Sequence, residues 1–325
     1  NNLIEYVVVP SFDNPRWIIR NEKNIIDNHS SIIKPSSFKA RLIWFIAKIF
    51  NKVSFFNLLF NSRIILKNIS IEDRYFDFSD SIANIIYTGA IGKFQKFTIE
   101  LSNKNNLVDK YLKLATSDNG ILRIKKEEEA LKILNQKSFN SVLIPELLTT
   151  VNRNNFYGIV QSNIINNDCN VVTSLKDIDI SAINLLYDSF SKNKKNIKDY
   201  YIELKREVNQ KLKIFNDLDA FFERKNDIDI ILAISHGDYI PWNRFIDENQ
   251  IKIIDWEMFC LRPIFYDIYY FLIHEAILIN NESISNINDR SLYLFDKINN
   301  INLDRDTKMT YFLIISLEIY SHYKK

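Results

Sequence analysis

The 325-residue chain contains few of the residues that build covalent or metal frameworks, since it has two cysteines and four histidines. Cys169 and Cys260 lie far apart in the sequence, and no group of cysteines and histidines has the spacing of a zinc site. Neither a disulfide framework nor a zinc centre is therefore expected, and a reducing cytoplasm is the predicted compartment. The first residues also lack the basic and then apolar pattern of a secretory signal.

Acidic residues are missing from one long stretch of the chain. Residues 28–71 contain seven Lys and Arg and no Asp or Glu. Because the whole chain has a formal net charge of +2, the remainder carries a net −5. This asymmetry indicates an exposed basic segment with a function or a partner of its own.

An apolar pattern of helical period lies inside this basic stretch, from residue 36 to about residue 60. Arg41, Lys48 and Lys52 fall on one stripe of that helix, and charges at these positions exclude a membrane-spanning segment. Two interpretations remain. The helix either packs on the core with its basic residues exposed, or makes a peripheral contact with an anionic membrane through residues 36–67.

Glycine is also scarce, and two of the five glycines in the chain, Gly89 and Gly92, fall between two stretches that have the composition of β-strands. Glycine allows backbone amides to approach phosphate oxygens closely. The turn is a candidate phosphate-binding loop, although any hairpin needs a flexible turn.

The most informative segment contains four polar elements in a fixed order. His236, Gly237 and Asp238 are followed by Asn243, five residues after Asp238. A hairpin predicted from its alternating pattern then ends on Asp255, and a further acid, Asp267, follows. In kinases an Asp that positions the acceptor hydroxyl precedes a metal-binding Asn by five residues, and a second metal-binding Asp lies on the next strand.

This segment resembles the aminoglycoside phosphotransferase and choline kinase superfamily, whose catalytic motif is similar to His-Gly-Asp, four spacers, Asn, and then Ile-Asp-Trp-Glu. The resemblance implies an α+β fold of protein-kinase type, with a small antiparallel β-sheet N-lobe and a mostly helical C-lobe. The predicted domains are an N-terminal extension (1–80), a nucleotide-binding N-lobe (81–163) and a C-lobe with the acceptor pocket (164–325).

The resemblance implies ATP and Mg²⁺ as cofactors and assigns roles to the motif residues. Asp238 is the catalytic residue, and Asn243 and Asp255 are the metal ligands. His236 and Asp267 are structural residues around the catalytic loop. Glu257 either contacts a second metal ion or supports the first from outside its ligand shell.

The resemblance also implies a phosphate-binding lysine on the strand predicted over residues 108–114. Lys113 is preferred to Lys110, and Glu127 is preferred to Glu128 as the acid that holds it. The order of elements places the adenine-binding hinge at three consecutive residues, Gln161, Ser162 and Asn163.

A sugar or glycan hydroxyl is the first choice of phosphate acceptor, because the Asn-Pro-Arg opening and the Asp-Tyr-Ile-Pro-Trp-Asn variant look like phosphotransferases of bacterial surface-polysaccharide assembly. The alternative is an amino alcohol or aminoglycoside, since residues 264–306 contain seven acids and three bases. A pseudokinase that binds nucleotide without turnover is a third interpretation. No nucleic-acid partner is predicted, because the basic stretch lacks a recognition module.

Overall fold

The computed structural model describes residues 3–26, 38–53, 56–67, 72–73, 76–77, 81–89, 91–103, 107–153, 155–165, 169, 172–207, 214–225, 227–247, 249–280, 282–298, 301 and 303–324. The chain divides into two compact units, one of residues 1–136 with 144–169 and one of residues 137–143 with 170–325. The first unit contains an antiparallel sheet and the second is mainly helical, so the predicted α+β class is confirmed.

The strands, in chain order, are β1 (Leu3–Val9), β2 (Trp17–Arg20), β3 (Arg63–Lys67), β4 (Glu72–Asp73), β5 (Phe76–Asp77), β6 (Ile82–Tyr87), β7 (Phe97–Ser102), β8 (Val108–Ala115), β9 (Val142–Leu143), β10 (Leu147–Arg153), β11 (Phe156–Ser162), β12 (Asn193–Asn196), β13 (Asp229–Ser235), β14 (Arg244–Asp247), β15 (Gln250–Ile253) and β16 (Cys260–Pro263). The helices are α1 (Phe38–Lys52), α2 (Phe56–Leu59), α3 (Asp118–Leu134), α4 (Asp177–Ser189), α5 (Ile197–Glu207), α6 (Ile214–Glu223), α7 (Tyr266–Glu275), α8 (Ile284–Phe295) and α9 (Arg305–Lys324).

An eight-stranded antiparallel sheet with the order β10-β11-β8-β7-β6-β2-β1-β3 organises the first unit. The link between β2 and β6 joins the predicted extension to the predicted nucleotide lobe, with Trp17 opposite Tyr87 and Ile19 opposite Ile85. The boundary at residue 80 remains a prediction. Strands from both sides of that boundary belong to one hydrogen-bonded sheet.

Helix α1 packs on the extension side of this sheet. Trp44 and Ala47 are buried, and the Trp44 and Trp17 ring centroids are 4.9 Å apart. Asn51 fixes the end of the helix, because its Nδ2 donates to the carbonyl of Glu22 at 2.8 Å. Helix α1 ends at Lys52, and the four-residue helix α2 covers Phe56–Leu59 of the same predicted helix. Residues 36–37 and 54–55 of the predicted helix lie outside the described residues.

The face of α1 opposite Trp44 is also apolar, but it is exposed to solvent. It consists of four residues that recur every three or four positions, Leu42, Phe45, Ile49 and Val53, with exposed fractions of 50%, 60%, 44% and 51%. We call these four residues the outer stripe. The side chains of Lys39, Arg41, Lys48 and Lys52 are exposed beside it.

In the second unit, two small sheets and a group of helices hold the polar segment. Strand β13 lies between β12 and β16 and ends at Ser235, immediately before His236. Ser235 is the register partner of Cys260, which is exposed, whereas Cys169 is buried. The hairpin of β14 and β15 forms as predicted. The other edge of β15 pairs with β9 in parallel orientation. Within the described ranges, no helix is long and apolar enough to cross a membrane.

Candidate active site

The carboxylate of Asp267, in the first turn of α7, organises the loop that follows β13. Its Oδ1 accepts hydrogen bonds from Ser235 Oγ at 2.8 Å and from the amide of Gly237 at 2.9 Å, and its Oδ2 accepts from the amide of His236 at 2.9 Å. Three donors from consecutive residues therefore converge on one buried carboxylate. A carboxylate at a helix N-terminus is also favoured by the helix dipole.

Gly237 is required by the shape of this loop. Its φ of +84° lies in the region that only glycine adopts readily. A Cβ there would also lie 2.1 Å from Arg262 Nη1 and 2.4 Å from the carbonyl oxygen of Met258. The loop thus passes too close to β16 and its preceding turn for any side chain at this position.

His236 is fully buried and makes contacts that hold the loop in place. Its Nε2 donates to the carbonyl of Ile254 at 2.9 Å, so Nδ1 is left to accept from the amide of Asp238 at 3.2 Å. The imidazole also lies 4.5 Å from the Trp256 ring, centroid to centroid. These contacts connect the loop to the end of β15.

Asp238 and Asn243, which the sequence predicts as catalytic residue and metal ligand, are in direct contact. Asn243 Nδ2 donates to the Asp238 carboxylate at 2.8 Å and to its backbone carbonyl at 2.9 Å. The amide oxygen of Asn243 is therefore directed away from Asp238. Tyr270 Oη donates to the other carboxylate oxygen of Asp238 at 3.1 Å.

Asp255 lies close enough to Asp238 to affect its ionisation. Burial raises the pKa of the Asp238 carboxyl above its ordinary value, and the negative charges of Asp255 and Glu257 raise that pKa further. Asp255 also adopts a left-handed backbone conformation, with φ of 68°, at the point where β15 turns into the Trp256–Met258 helical turn. Three carboxylates thus concentrate negative charge beside Asn243.

This arrangement fits a divalent cation. A bound cation would offset the mutual repulsion of these carboxylates, and Mg²⁺ typically takes one or two protein oxygen ligands and completes its shell with water and phosphate oxygens. Asn243 and Asp255 are the residues that would hold it. Among the described residues, no group of three or more His, Cys, Asp and Glu has the arrangement of an all-protein metal cage.

The first unit contains a second set of predicted residues around Lys113, on β8. Lys113 Nζ lies 2.5 Å from Glu127 Oε1 on α3, and both residues are buried. Of the alternatives, Lys110 instead pairs with Asp109 at 3.0 Å, and Glu128 pairs with Lys132 at 2.6 Å. The buried pair is therefore Lys113 with Glu127.

The glycine turn between β6 and β7 is fastened to the start of the chain. Gly89 has φ of +67°, and a Cβ there would lie 2.5 Å from the Lys96 carbonyl oxygen. Arg16 Nη1 donates to the Gly89 carbonyl at 3.1 Å, and Thr88 Oγ1 donates to the carbonyl of Pro15 at 2.7 Å. Gly92 has φ of +156°, and a Cβ added there would meet no atom within 4 Å. Residues of the Asn-Pro-Arg opening thus hold the candidate phosphate loop.

The predicted hinge lies at the end of β11, where Gln161 is buried. The amide of Ser162 donates to the carbonyl of Glu146, and the amide of Asn163 donates to the carbonyl of Asp109. Since both amides are used inside the protein, adenine recognition at these two residues would have to use their carbonyl oxygens. Their assignment as the hinge remains a prediction.

Sequence reasoning missed Tyr270, which contacts Asp238. The available signal was its position three residues after Asp267, because a helical turn brings residues at that spacing to neighbouring positions. It also missed Asp179, on α4, which contacts Tyr239 and Arg244. Asp179 lies sixty positions before Tyr239 in the chain.

Comparisons with known proteins show what the chain is similar to. The model of the phosphotransferase enzyme family (APH) matches residues 199–284. Similar solved structures include aminoglycoside phosphotransferase APH(3'')-Id from Streptomyces rimosus (13% identity, 72% of this chain and 92% of that chain, TM-score 0.46). They also include a thermostable APH(4)-Ia mutant with ADP and hygromycin B (10%, 79% and 92%, 0.49) and a choline/ethanolamine kinase family protein from Mesorhizobium loti (12%, 73% and 78%, 0.45). No curated protein sequence matches the chain.

The family match covers about a quarter of the chain, and that quarter contains the catalytic loop, its hairpin and the Asp267 anchor. The predicted resemblance to phosphotransferases is confirmed over residues 199–284, the segment that the model of the phosphotransferase enzyme family matches.

Proposed function

We propose that the protein is an ATP-dependent kinase that transfers the γ-phosphate to a hydroxyl of a sugar or glycan acceptor in bacterial surface-polysaccharide metabolism. The observation that supports this most directly is the contact between Asp238 and Asn243, with Asp255 beside them and Asp267 fixing the loop. These are the groups that phosphoryl transfer needs, because the reaction depends on positioning and charge neutralisation.

Asp238 accepts the hydrogen bond of the acceptor hydroxyl and orients its oxygen toward the γ-phosphorus. It takes the proton as the new P–O bond forms and the bond from the γ-phosphorus to the bridging oxygen breaks, with ADP as the leaving group. Asn243 and Asp255 would hold Mg²⁺, which would neutralise charge on the phosphate oxygens. Glu257 supports that cluster from a buried position. In the other unit, Lys113, held by Glu127, binds the α- and β-phosphates, and the turn of Gly89 and Gly92 offers backbone amides to phosphate oxygens.

The ion pairs of the second unit support a glycan rather than a cationic acceptor. The acids of residues 264–306 were the reason to consider an amino alcohol or aminoglycoside, yet most of them are engaged within the protein. Glu275 and Glu282 pair with Arg290, and Asp296 and Asp306 pair with Lys308 and Lys225. Asp304 caps α9 through Thr307, and Asp267 binds the catalytic loop. Little uncompensated negative charge is left within residues 264–306 to attract a cationic acceptor.

A phosphate-transfer screen with mass detection tests the proposal. The purified protein is incubated with ATP, Mg²⁺ and sugars, amino alcohols or aminoglycosides. We expect phosphorylated sugars, loss of transfer without Mg²⁺, and a fall of at least about a hundredfold in turnover for Asp238→Asn while nucleotide binding persists. Asp289→Asn, an exposed position on α8, is the matched control and should behave as the wild type.

Other outcomes would contradict parts of the proposal. Phosphorylated amino alcohols or aminoglycosides without sugar products would replace the acceptor class. Nucleotide binding without transfer to any acceptor would establish the pseudokinase interpretation. Equal turnover in the wild type and Asp238→Asn would exclude the role of Asp238.

We further propose a cytoplasmic location with peripheral attachment to the inner face of the membrane through residues 36–67. Both interpretations of the basic helix find support in α1, because one face packs on the sheet and the outer stripe faces solvent beside four basic residues. Exposed apolar side chains next to Lys and Arg suit a surface of anionic lipid.

Liposome sedimentation tests this attachment. At low salt we expect the protein to pellet with vesicles containing anionic lipid, and to stay in the supernatant with neutral vesicles. Phe45→Ser with Ile49→Ser should abolish pelleting. The control is Leu122→Ser with Ile133→Ser on α3, whose side chains are 54% and 43% exposed. Pelleting that is equal in both double variants would exclude the outer stripe as the contact.

A further inference from the structure

Asp179, on α4, is completely buried in the second unit and contacts the catalytic loop. Its Oδ1 accepts a hydrogen bond from Tyr239 Oη at 2.6 Å and lies 3.1 Å from Arg244 Nη1. Its Oδ2 accepts from the amide of Lys176 at 2.6 Å. One carboxylate therefore binds a phenol and a guanidinium that come from two different places in the chain.

Those two places lie next to Asp238 and Asn243 in the chain. Tyr239 directly follows Asp238, and Arg244 directly follows Asn243. Each side chain that contacts Asp179 thus belongs to the residue directly after one of the two site residues, Asp238 or Asn243. Fixing both neighbours to one carboxylate fixes the separation of Asp238 and Asn243, whose own hydrogen bond is 2.8 Å long.

Further contacts hold the Arg244 side chain in place. Arg244 Nη2 donates to the carbonyl of Ser174 at 2.7 Å, and the guanidinium carbon lies 4.7 Å from the centroid of the Phe271 ring. Tyr239 and Arg244 have no solvent exposure. A guanidinium presents its donors in a fixed planar fork, so these contacts define the orientation of the Arg244 side chain.

Stability alone does not account for such a group. Burial of an ion pair removes two charges from water, and apolar residues of the same volume often stabilise a fold as well or better. The benefit of a buried polar network is a defined geometry, and partners outside the ligand shell commonly change metal affinity or activity ten- to a hundredfold when removed.

We infer that Asp179 is a positioning residue that holds Asp238 and Asn243 in register through Tyr239 and Arg244. The inference rests on the proposed phosphoryl transfer. Asp179 itself does not contact the reacting atoms in this assignment. It acts on the acceptor hydroxyl through Tyr239 and Asp238, and on the metal through Arg244 and Asn243.

Tyr239→Phe is the sharpest test, because it removes one hydroxyl and keeps the ring. We expect turnover per nucleotide-binding site to fall about tenfold and the Mg²⁺ concentration for half-maximal nucleotide binding to rise, with little change in nucleotide KM at saturating Mg²⁺. Normalising to binding sites removes any effect of misfolded protein. The matched control is Tyr201→Phe, which removes a hydroxyl that donates to Asp219 at 2.7 Å away from the loop.

Asp179→Asn completes a double-mutant cycle with Tyr239→Phe. Non-additive losses of turnover show that the two residues act as one unit, and additive losses contradict the inference. Unchanged turnover and unchanged Mg²⁺ dependence in Tyr239→Phe would overturn it. If the wild type transfers phosphate to no acceptor, the proposed function fails, and the Mg²⁺ dependence of nucleotide binding still decides whether Asp179 and Tyr239 position the metal ligand.

Discussion

Single residues show where short sequence patterns are sufficient and where they are not. The spacing of Asp238, Asn243 and Asp255 could be read directly, because one loop and one hairpin carry all three within a short stretch of chain. The sequence favoured Lys113 over Lys110 on the same predicted strand, and the structure adds that Lys113 pairs with Glu127. Asp179 could not be found, because a contact across sixty residues leaves no local pattern.

Removal of the Lys113 charge should weaken nucleotide binding. We expect Lys113→Met, combined with Glu127→Gln so that no lone charge stays buried, to raise the ATP dissociation constant at least tenfold, equivalent to about 1.4 kcal/mol. Isothermal titration calorimetry measures this directly. Lys110→Met, which removes a more exposed lysine on the same strand, should bind ATP like the wild type. Equal weakening in both would contradict the assignment of Lys113.

The pH dependence of turnover should report the raised pKa of Asp238. Turnover needs the ionised carboxylate, so kcat/KM should fall as the pH falls through that pKa, above the ordinary Asp value of 3.8. Glu257→Gln removes a negative charge that raises the pKa. The acidic limb of the profile should therefore move to lower pH in this variant, and a move to higher pH would contradict the electrostatic reading.

Gly237 offers a test of the space around the loop. Gly237→Ala and Gly92→Ala both place a side chain at a positive φ, but only at Gly237 would the new Cβ also collide with other atoms. We expect both variants to lose stability, and Gly237→Ala to lose more, by roughly 2 kcal/mol or above. Thermal unfolding compares them, and equal melting temperatures would show that the loop can move aside.

At the scale of elements, those with a strong period were the most predictable. The hairpin of β14 and β15 was placed correctly. Helix α1 is shorter than its apolar pattern suggests. Two apolar faces, one packed and one exposed, produced a pattern that encircles the axis, and such a pattern carries no information about which face is buried.

The contact between α7 and the catalytic loop should be sensitive to a single change. Asp267→Asn replaces one carboxylate oxygen, which accepts hydrogen bonds, by an NH₂ group, which donates them. This group would face the Ser235 hydroxyl or the loop amides, which are donors themselves. Because one of three charge-assisted hydrogen bonds is lost and a donor is left opposed, we expect destabilisation of roughly 3 kcal/mol, and loss of turnover. Denaturant unfolding measures the first and the transfer assay the second. Full activity in this variant would exclude Asp267 as the anchor.

For the whole molecule, the α+β class followed from the sequence, while the extent of the sheet did not. The sequence did not predict which strands pair with β1, because buried strands share one composition and the choice of partner depends on distant segments. The four-residue strand β2 is too short for a clear alternation. It nevertheless connects the first eighty residues to the strands that precede Lys113.

Deletion of residues 1–80 should therefore not leave a folded protein. The deletion exposes the edge of β6 and removes Trp17, which is buried against α1, together with Pro15 and Arg16, which hold the glycine turn. We expect insoluble protein, because an unpaired apolar edge strand promotes aggregation. Soluble expression and circular dichroism provide the measurement. A soluble, active truncated protein would support an independent extension.

The two cysteines differ in exposure, which allows selective chemical labelling of one of them. Because Cys169 is buried and Cys260 is exposed, a maleimide dye added to the folded protein should label one position. That position is opposite Ser235, one residue before the catalytic loop begins. A dye on Cys260 needs no engineered attachment point, and a change in its fluorescence on addition of ATP and Mg²⁺ is the signal that the proposed function predicts.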